Sequence, residues 1–554
     1  MIETSRSVWR RARVPGFFLL FLAVEFVLFD QIGAHHHTGI YPRWHDQIQY
    51  LMESYTGYIY SQAQGWREGL WHALINPSAQ GTLHDFFAIA LFDLVGPSRS
   101  AALSVNMLAL LAWQAALFIH LWRRTRSPAC AWIGVAVVLA TRSAWIPGPG
   151  SAFDFRLDWL ATCMMGLSVV ACLETQRFRS VTGSTLFGFC VGITLLTRFL
   201  TGAYFAVAFV LFGIWILFGT ERLRRFANLL LSGIIAAGIA GPLMWLNREW
   251  IYNYYFIGHF SGPESAIRAP HWGIATSIQW FGSTFVSEYI GIFALCLFFS
   301  GLLLLIPAIL VSAKSPSDPG FRFIGSKPSL LPLVTFFVVP ATILILHSQK
   351  SPYVLGVALP AAVMLFLEPL MELGQAVSPR WANGVAVGFV AAALIGFLVR
   401  IVPNPHSAEF LISAQRINHF ADMLARRCKL AELEEPRIAV DRVTDCLDGQ
   451  VLRVLCYERH KKWIPFEMML PMGIIEQPEN DLLDHITASD FIVIMEEGPA
   501  GPWPADAQMD RLRPRVSAWA KEKLTPIDQL NVFGMRFAVY AQQATPLPGD
   551  PVKQ

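Results

Sequence analysis

Long runs of apolar residues, separated by short polar segments, make up most of the chain before Pro403. A helix needs about 20 consecutive apolar residues to cross the hydrocarbon core of a bilayer. Measured against that length, the pattern predicts about eleven membrane-spanning helices. They are expected at residues 17–33, 99–121, 129–146, 157–174, 183–200, 201–219, 227–246, 285–312, 329–347, 353–372 and 382–401. The pattern therefore predicts a polytopic α-helical membrane protein.

Beyond Pro403 the pattern changes to that of a small soluble domain. Short apolar runs, typical of strands, alternate there with polar segments of helical character. The runs are PRIAVDR at 436–442, VLRVLCYE at 451–458, DFIVIME at 490–496 and MRFAVYA at 535–541. We predict a transmembrane domain over residues 1–402, a soluble α/β domain over residues 403–545 and a disordered tail at residues 546–554. Neither a GxGxxG nor a Walker pattern occurs in the soluble part, so nucleotide binding is not predicted.

Composition supports the membrane assignment and narrows the possible partners. Hydrophobic residues make up 54% of the chain and charged residues 15%, whereas soluble domains carry about 25% charged residues. The net charge of +3 is too small for a polyanion-binding protein, and the basic residues lie in short clusters between the apolar runs. We therefore expect membrane lipids, and no nucleic acid, as partners.

The clusters of basic residues predict how the chain is inserted, because cytoplasmic loops carry the excess of arginine and lysine. The clusters are RRAR near the start, RRTR at 123–126, QRFR at 176–179, ERLRR at 221–225 and the loop at 314–327. All of them fall on one side of the membrane, so the N-terminus is predicted to be cytoplasmic. The protein is expected in the cell inner (plasma) membrane. The opposite, periplasmic side receives the segments 34–98, 147–156, 247–284 and 347–352 together with the soluble domain.

The first outer loop, residues 34–98, is long and carries an isolated acid. Asp46 lies four positions before Tyr50, which is about one helical turn, so both side chains are expected to face the same way. Apolar periodicity predicts helices around Ile48–Tyr60 and Trp66–Ile75 that lie in the membrane interface as a lid. Asp46 is either part of a site or an ordinary hydrated loop acid.

Further ionisable side chains gather at the same predicted membrane face. Asp154 and Asp158 lie at the start of the predicted span 157–174 and would share one helix face if the helix begins there. The alternative is that Arg156, between them, only neutralises the two acids. Arg198 and Lys350 stand at outer span ends, where each is either functional or a side chain that only reaches toward the headgroups. This clustering predicts chemistry on a substrate that arrives from the lipid.

Three segments resemble the GT-C membrane glycosyltransferases, the class that includes protein mannosyltransferases and the aminoarabinose transferases acting on lipid A. Asp46-Gln-Ile-Gln-Tyr50 resembles their acidic first-loop motif. NPSAQGTLHDFFAIALFDLVG at 76–96 resembles the approach to their second span, and HSQKSPYVLGVALP at 347–360 is similar to their late Lys-x-x-Tyr turn. The likeness covers most of residues 15–400 and rests on the order and sidedness of the three segments.

The resemblance implies an inverting transfer of a sugar, a hexose or a pentose, from a polyprenyl-phosphate carrier. The acceptor is a hydroxyl of a glycan, lipid or protein at the outer face. The late turn reads Lys350-Ser-Pro-Tyr353, and Gln47 stands where the family has an acidic neighbour of the loop aspartate. Gln47 weakens the proposal of a divalent metal, so no cofactor is expected, and a divalent metal stays an alternative without support in the sequence.

The residue types also fit this chemistry by themselves. A general base must accept the proton of the attacking hydroxyl, and Asp46 is the candidate. The phosphate of the departing lipid gains negative charge, which cations at the membrane edge stabilise. The candidates for that role are Arg198, Lys350 and Arg268. The candidates for acceptor binding or support of the site are Tyr50, Asp154, Asp158, His84, Asp85, His347 and Tyr353. For His84 and Asp85 the alternative is a cap on the next helix.

The histidines and cysteines do not indicate a metal site. His35, His36 and His37 are consecutive, and consecutive residues rarely converge on one ion. Cys446 and Cys456 either pair as a disulfide outside the cytoplasm or stay free. No metal is therefore predicted.

Two other classes of protein compete with the enzyme. A transporter or lipid flippase also needs polar groups in its spans, but transporters place them near the midplane and show internal repeats. Here they gather at one face, Glu25 and Asp30 being partial exceptions, and the sequence shows no repeat. A scaffold that only displays the C-terminal domain would leave the polar cluster unexplained. We therefore predict a glycosyltransferase, with a transporter or flippase without transferase activity as the alternative.

Overall fold

The computed structural model describes residues 2–37, 45–268, 272–297, 299, 330–376, 384, 387–396, 408–430, 436–441, 447, 449–470, 476–499 and 504–542. Contacts divide the chain into two compact units. The first unit consists of Met1–Ile32, Arg67–Leu91 and Ala101–Pro403, and the second of Gly33–Trp66, Phe92–Ser100 and Asn404–Gln554. The predicted first outer loop is therefore divided between the two units.

Five helices in the part of the chain that the structure describes are long and apolar enough to cross a membrane. They are Val14–Gly33, within the helix Ile2–His37, and Arg99–Thr125, Leu157–Glu174, Arg222–Leu246 and Ile274–Leu297. Shorter apolar helices lie at Pro128–Ala140, Val181–Thr197, Thr201–Leu217, Leu330–Leu346, Pro352–Glu368 and Val387–Gly396. Each predicted span overlaps one of these helices. The chain is a multi-pass membrane protein, and the number of crossings stays a prediction.

Further helical segments connect these elements. They are His45–Gln64, Trp66–Ile75, Leu83–Val95, Arg142–Trp145, Arg248–Tyr252, the π-helix Asn253–Ser261, Pro263–Arg268, the π-helix Phe285–Ile290, the 3₁₀-helix Pro352–Ala358 and Leu359–Ala376. The two helices predicted in the first outer loop are confirmed as helices, the second with the predicted bounds. Their role as a lid stays a prediction.

Capping residues determine where two apolar helices begin after basic clusters. Ser127 accepts a hydrogen bond from the backbone N–H of Cys130, with Pro128 at the first helical position. Ser180 accepts one from the N–H of Gly183. These caps satisfy donors that the first turn of a helix leaves without an intrahelical partner.

Glycines let the helix Val181–Thr197 lie directly against Arg222–Leu246. A Cβ atom at Gly188 would stand 2.5 Å from the carbonyl oxygen of Ser232. A Cβ atom at Gly192 would stand 2.8 Å from the side chain of Ile239, which also belongs to the helix Arg222–Leu246. Small residues at such interfaces allow membrane helices to approach closely, so the turns at the ends of these two helices are held in fixed positions.

The second unit contains a five-stranded mixed sheet in the order β2-β1-β3-β5-β4. The strands are β1 Ile438–Val440, β2 Phe466–Met468, β3 Phe491–Glu497, β4 Thr525–Val532 and β5 Met535–Ala541. β1 pairs in parallel with β2 and β3, whereas β5 pairs antiparallel with β3 and β4. The turn from β4 to β5 places Gly534 at a φ of 71°, a left-handed conformation that favours glycine.

Helices cover this sheet. In the described part of the C-terminal segment they are Ala408–Leu430, Gly449–His460, Glu479–Thr487 and Pro504–Lys523. Ile492 of β3 lies in one core with Leu482 and Met509 of two of these helices. The run at 451–458, interpreted as a strand, lies inside the helix Gly449–His460, so that prediction was wrong. Its apolar residues Val451, Leu452, Val454 and Leu455 stand at positions i, i+1, i+3 and i+4, which is helical spacing.

The helix that carries Asp46 packs within the second unit against Gly449–His460. The buried Tyr55 hydroxyl donates a hydrogen bond to Glu458 at 2.8 Å. Arg99 Nη2 lies 2.9 Å from the other carboxylate oxygen of Glu458. One glutamate of the C-terminal segment therefore fixes the helix of the first loop.

Candidate active site

Asp158 and Arg198 form a buried ion pair in the first unit. Arg198 Nη1 lies 2.9 Å from Asp158 Oδ1, and the two side chains are 9% and 5% exposed, respectively. Charges removed from water are tolerated only when they are paired with good geometry. The structure thus brings together two residues that the sequence indicated separately.

Two helix ends produce this pair. Asp158 lies in the first turn of the helix Leu157–Glu174, where the helix dipole favours a carboxylate. Arg198 follows the last residue of Val181–Thr197 with extended backbone, φ −150° and ψ 110°, and the next helix begins at Thr201. The arginine therefore lies at an interruption between two apolar helices.

Residues 78–82 cross this interruption and hold it. Their backbone forms hydrogen bonds with the backbone on either side of Arg198, at N···O distances of 2.9 and 2.7 Å. The side chain of Gln80 accepts a hydrogen bond from Arg198 Nη1 at 3.4 Å. A Cβ atom at Gly81 would stand 2.1 Å from the carbonyl oxygen of Thr197, so the crossing requires glycine.

A second buried ion pair joins Asp154 and Arg156. Arg156 Nε lies 2.8 and 2.9 Å from the two carboxylate oxygens, and its guanidinium carbon lies 3.4 Å from the centre of the Tyr353 ring. Burial by itself lowers the pKa of Arg156, but the Asp154 carboxylate raises that pKa well above its ordinary value. Arg156 therefore neutralises Asp154, whereas Asp158 pairs with Arg198.

Tyr289 ties this turn to the late Lys-x-x-Tyr turn. Its hydroxyl lies 2.9 and 2.6 Å from the carbonyl oxygens of Pro352 and Tyr353. A Cβ atom at Gly150, whose φ is 69°, would stand 2.2 Å from that hydroxyl. The N–H of Gly150 donates to Asp154 at 2.6 Å. The glycine thus allows the acidic turn and the late turn to contact each other.

Lys350 caps the C-terminal end of the helix Leu330–Leu346. Its Nζ lies 2.7 Å from the carbonyl oxygen of Ile345, 2.6 Å from that of His347 and 3.4 Å from that of Leu344. A cation at this position complements the helix dipole. Burial lowers the pKa of Lys350. The expected role in binding phosphate stays a prediction.

His347 belongs to a small polar group with His259 and Ser348. The nearest ring nitrogens of the two histidines are 3.4 Å apart, and Ser348 Oγ donates to the carbonyl oxygen of His259 at 3.1 Å. The His347 ring also contacts the backbone of Gln349 at 3.1 Å. Among the residues that the structure describes, no group of three or more His, Cys, Asp or Glu side chains could hold a metal ion.

His84 and Asp85 lie in the first turn of the helix Leu83–Val95. The His84 ring is buried, with its centre 4.2 Å from that of Phe155. Burial lowers the pKa of His84 to about 3, so the ring is neutral at physiological pH. Asp85 is half-buried where the helix dipole favours a carboxylate. Their role in acceptor binding stays a prediction.

The predicted base lies in the second unit. Asp46 is exposed in the first turn of the helix His45–Gln64, and Tyr50, one turn later, is half-buried. Outside the described part of the chain lie the side chains of Arg268, His35, His36 and His37 and the residue Cys446.

Sequence reasoning missed three side chains around the Asp158–Arg198 pair. Tyr204 and Tyr255 are 2% and 8% exposed, and both interact electrostatically with the two charged residues. Gln80, the third, contacts Arg198 directly. The two tyrosines lie in apolar and aromatic runs, so the sequence pattern does not distinguish them from residues that only pack in the core.

These helices and turns define a membrane protein with a GT-C-like fold. Two crystal structures of ArnT from Cupriavidus metallidurans, an aminoarabinose transferase of the GT-C class, match the chain along nearly its whole length. The apo structure is 14% identical, with a TM-score of 0.59, and the match covers 96% of this chain and 99% of that chain. The structure bound to undecaprenyl phosphate is 15% identical, with a TM-score of 0.59, and covers 96% and 98%. No protein-family model and no curated protein sequence matches the chain. The predicted resemblance is confirmed at the level of the fold.

Proposed function

We propose that the chain is a membrane glycosyltransferase that moves a hexose or a pentose from a polyprenyl-phosphate carrier to an acceptor hydroxyl. The acceptor is a glycan, lipid or protein at the periplasmic face of the inner membrane. The observation that carries the proposal is the fold match over 96% of the chain to ArnT, one structure of which is bound to undecaprenyl phosphate. The buried pair of Asp158 and Arg198 supports it, because charged side chains inside membrane proteins mark substrate paths.

The proposed reaction is a single displacement with inversion. The acceptor oxygen attacks the anomeric carbon while the bond from that carbon to the phosphate oxygen breaks. The electron pair of that bond leaves with the polyprenyl phosphate, and the proton of the acceptor hydroxyl passes to a carboxylate. We assign Asp46 as this general base, because it is exposed in the first turn of a helix, where an acceptor hydroxyl can approach the carboxylate.

Arg198 is the first candidate to stabilise the departing phosphate. A guanidinium carries five N–H donors in a planar fork, so one edge can hold Asp158 while another edge addresses a phosphate. Lys350 and Arg268 are the further candidates for this role. We assign acceptor binding or support of these groups to Tyr50, Asp154, Asp158, His84, Asp85, His347 and Tyr353.

The donor class is tested by mass spectrometry of lipids that copurify with the protein. We expect a polyprenyl-phosphate sugar, and we expect the purified protein to transfer that sugar to an acceptor. The alternative, a transporter or flippase, would be identified by lipid scrambling or uptake in vesicles together with no sugar transfer from any donor tested.

The base is tested by Asp46→Asn, which keeps the shape of the side chain but cannot accept the proton. We expect the turnover number to fall about 10²–10⁴-fold, with donor binding and thermal stability unchanged. Asp154→Asn and Asp158→Asn, checked for equal expression, are the comparison. An active Asp46→Asn beside a variant of the second turn that is inactive but shown by thermal unfolding to be folded would move the base to that turn.

The phosphate cations are tested by Arg198→Ala and Lys350→Ala. Loss of one well-placed electrostatic donor costs about 10²–10³ in rate, so each variant should use the lipid-linked donor less well. Two variants that turn over at the wild-type rate would place the donor phosphate elsewhere.

A further inference from the structure

The basic runs at 176–179 and 221–225 meet at the other end of the helix Leu157–Glu174 from Asp158. Arg179 Nη2 lies 3.2 Å from the hydroxyl of Thr220 and 3.3 Å from a carboxylate oxygen of Glu221. We call residues 175–180 and 218–225 the basic turn pair. The proposed transferase site makes no use of these residues.

The basic turn pair carries a strong excess of positive charge. It contains Arg177, Arg179, Arg222, Arg224, Arg225 and one acid, Glu221. That acid is already shared, because its oxygens lie 3.3 Å from Arg179 and 3.7 Å from Arg224. All the cations are arginines, whose planar fork matches the oxygens of a phosphate. Arg222 and Arg224 are exposed and are therefore available to a ligand.

Arg225 is the buried centre of the basic turn pair. It is 3% exposed, its Nε donates to the carbonyl oxygen of Arg177 at 2.8 Å, and its Nη1 donates to that of Thr220 at 3.5 Å. The ring of Trp215 lies 4.7 Å from its guanidinium carbon. Within the described residues its Nη2 has no hydrogen-bond partner. This guanidinium has no surface that a ligand could contact, and it places a buried positive charge beside the exposed Arg222 and Arg224.

The first turn has an unusual backbone that the neighbouring helix holds in place. Gln176, Arg177 and Phe178 have φ angles of 51°, 64° and 63°, a left-handed conformation that non-glycine residues adopt at a cost. Asn228 donates to the carbonyl oxygen of Phe178 at 2.8 Å. Strain that the surroundings maintain in this way is characteristic of ligand-binding segments.

Apolar side chains adjoin the arginines. Phe218 and Leu223 are 87% and 85% exposed. Both turns adjoin ends of candidate membrane spans, Leu157–Glu174 and Arg222–Leu246, so they lie where hydrocarbon meets the headgroups. A ligand that fits here has an anionic head and an apolar body.

We propose that the basic turn pair binds the phosphodiester headgroup of an anionic glycerophospholipid. The phosphate accepts hydrogen bonds from the exposed Arg222 and Arg224, the buried Arg225 adds its positive charge from within the turn pair, and the acyl chains lie against Phe218 and Leu223. Clusters of arginine beside a membrane span attract anionic lipids in this way. The site is separate from the transferase chemistry and does not depend on it.

Native mass spectrometry of the full-length protein in detergent tests the site, with phosphatidylglycerol and phosphatidylcholine as the probes. We expect phosphatidylglycerol to bind more tightly. The double variant Arg222→Gln/Arg224→Gln should weaken its binding about fivefold for each arginine removed, because both side chains are exposed and their loss leaves the fold intact. The matched control is Arg248→Gln, in the short helix that follows the other end of Arg222–Leu246, where the guanidinium carbon lies 4.9 Å from a tryptophan ring. It should bind the lipid like the wild type.

A second variant acts on the buried arginine without removing its charge. A Cβ atom at Gly219 would stand 2.1 Å from Arg225 Nη1, so Gly219→Ala should displace the guanidinium and reduce the preference for phosphatidylglycerol. Equal binding of the two lipids by the wild type would overturn the proposal. So would an equal loss of binding in Arg248→Gln, or inorganic phosphate that displaces the lipid completely, which would indicate a free-anion site. Transferase activity is not a readout here, so these outcomes are independent of the proposed function.

Discussion

Breaking the Asp158–Arg198 pair is expected to cost stability. In Asp158→Asn the guanidinium of Arg198, 9% exposed, loses its carboxylate. Leaving one member of a buried pair uncompensated costs about 3–5 kcal/mol. Because Gln80 still accepts from Arg198 at 3.4 Å, we expect a loss in the lower part of that range, about 3–4 kcal/mol.

A double-mutant cycle separates the pair from its surroundings. The variants are Asp158→Asn, Arg198→Gln and the double variant, and unfolding of the purified protein in detergent is followed against temperature or SDS. The coupling energy between two contacting residues is about 0.5–3 kcal/mol. Because this pair is buried, we expect a coupling energy in the upper part of that range, about 2–3 kcal/mol. The control is the exposed pair Arg248–Glu249, with the charges 3.3 Å apart and the side chains 51% and 78% exposed. Its coupling should stay below about 1 kcal/mol.

One result of the double-mutant cycle would contradict the expected coupling energy. A coupling energy for Asp158 and Arg198 no larger than that of the exposed pair would refute the reasoning, since burial would then make no difference. Sugar transfer is measured on the same variants. A double variant that is stable but inactive would support a role in donor binding, whereas a stable and active one would show that the pair is only structural.

The other predictions concern a close backbone contact, acid stability and topology. Gly81→Ala should destabilise the protein by about 1–3 kcal/mol, because a carbonyl oxygen lies 2.1 Å from the new Cβ position; Gly238→Ala, with nothing within 4 Å of its Cβ, should be neutral or stabilising in the same unfolding assay. The hydrogen bonds of Arg459 lower the pKa of Asp422, so the stability contributed by Asp422 is complete above the ordinary carboxyl pKa and is lost as pH falls through the depressed one. The stability difference between wild type and Asp422→Asn should therefore narrow below about pH 4, and a constant difference would contradict it. A reporter active only outside the cytoplasm, fused at Gln554, should be active; a cytoplasmic C-terminus would remove the C-terminal domain from the proposed side.

The membrane-spanning helices were the most predictable part of the fold, because length and hydropathy are local properties. The soluble part was harder. β4, residues 525–532, is an edge strand whose side chains are mostly exposed, so it carries no apolar run. The segment 451–458 has apolar residues in helical spacing, and its short length concealed that period. In β4 the exposed side chains leave no apolar run to mark a strand. In the segment 451–458 the run is too short for its helical period to be recognised.

The candidate site was predictable in its members but not in its pairing. The sequence placed Arg156 between Asp154 and Asp158 and favoured one local neutral cluster. The helix begins only at Leu157, which leaves Asp154 in the turn beside Arg156 and directs Asp158 to Arg198. That second partner depends on where a helix 40 positions later is interrupted and on the glycine crossing beside it, about which local patterns carry no information.

The environments of Lys350 and Arg198 show why a cation at a span end does not by itself identify a ligand site. An ammonium has three donors, and Lys350 Nζ already lies within 2.6–3.4 Å of three carbonyl oxygens. A phosphate would have to replace at least one of those contacts, which lie in a half-buried turn, so part of its gain in hydrogen bonding would be offset. Arg198 Nη1 lies 2.9 Å from Asp158, and the charge of that carboxylate prevents the guanidinium from being an isolated buried cation. Sequence position makes the two residues equal candidates for the donor phosphate, whereas their contacts differ: Arg198 is paired with a buried carboxylate, and Lys350 also caps a helix.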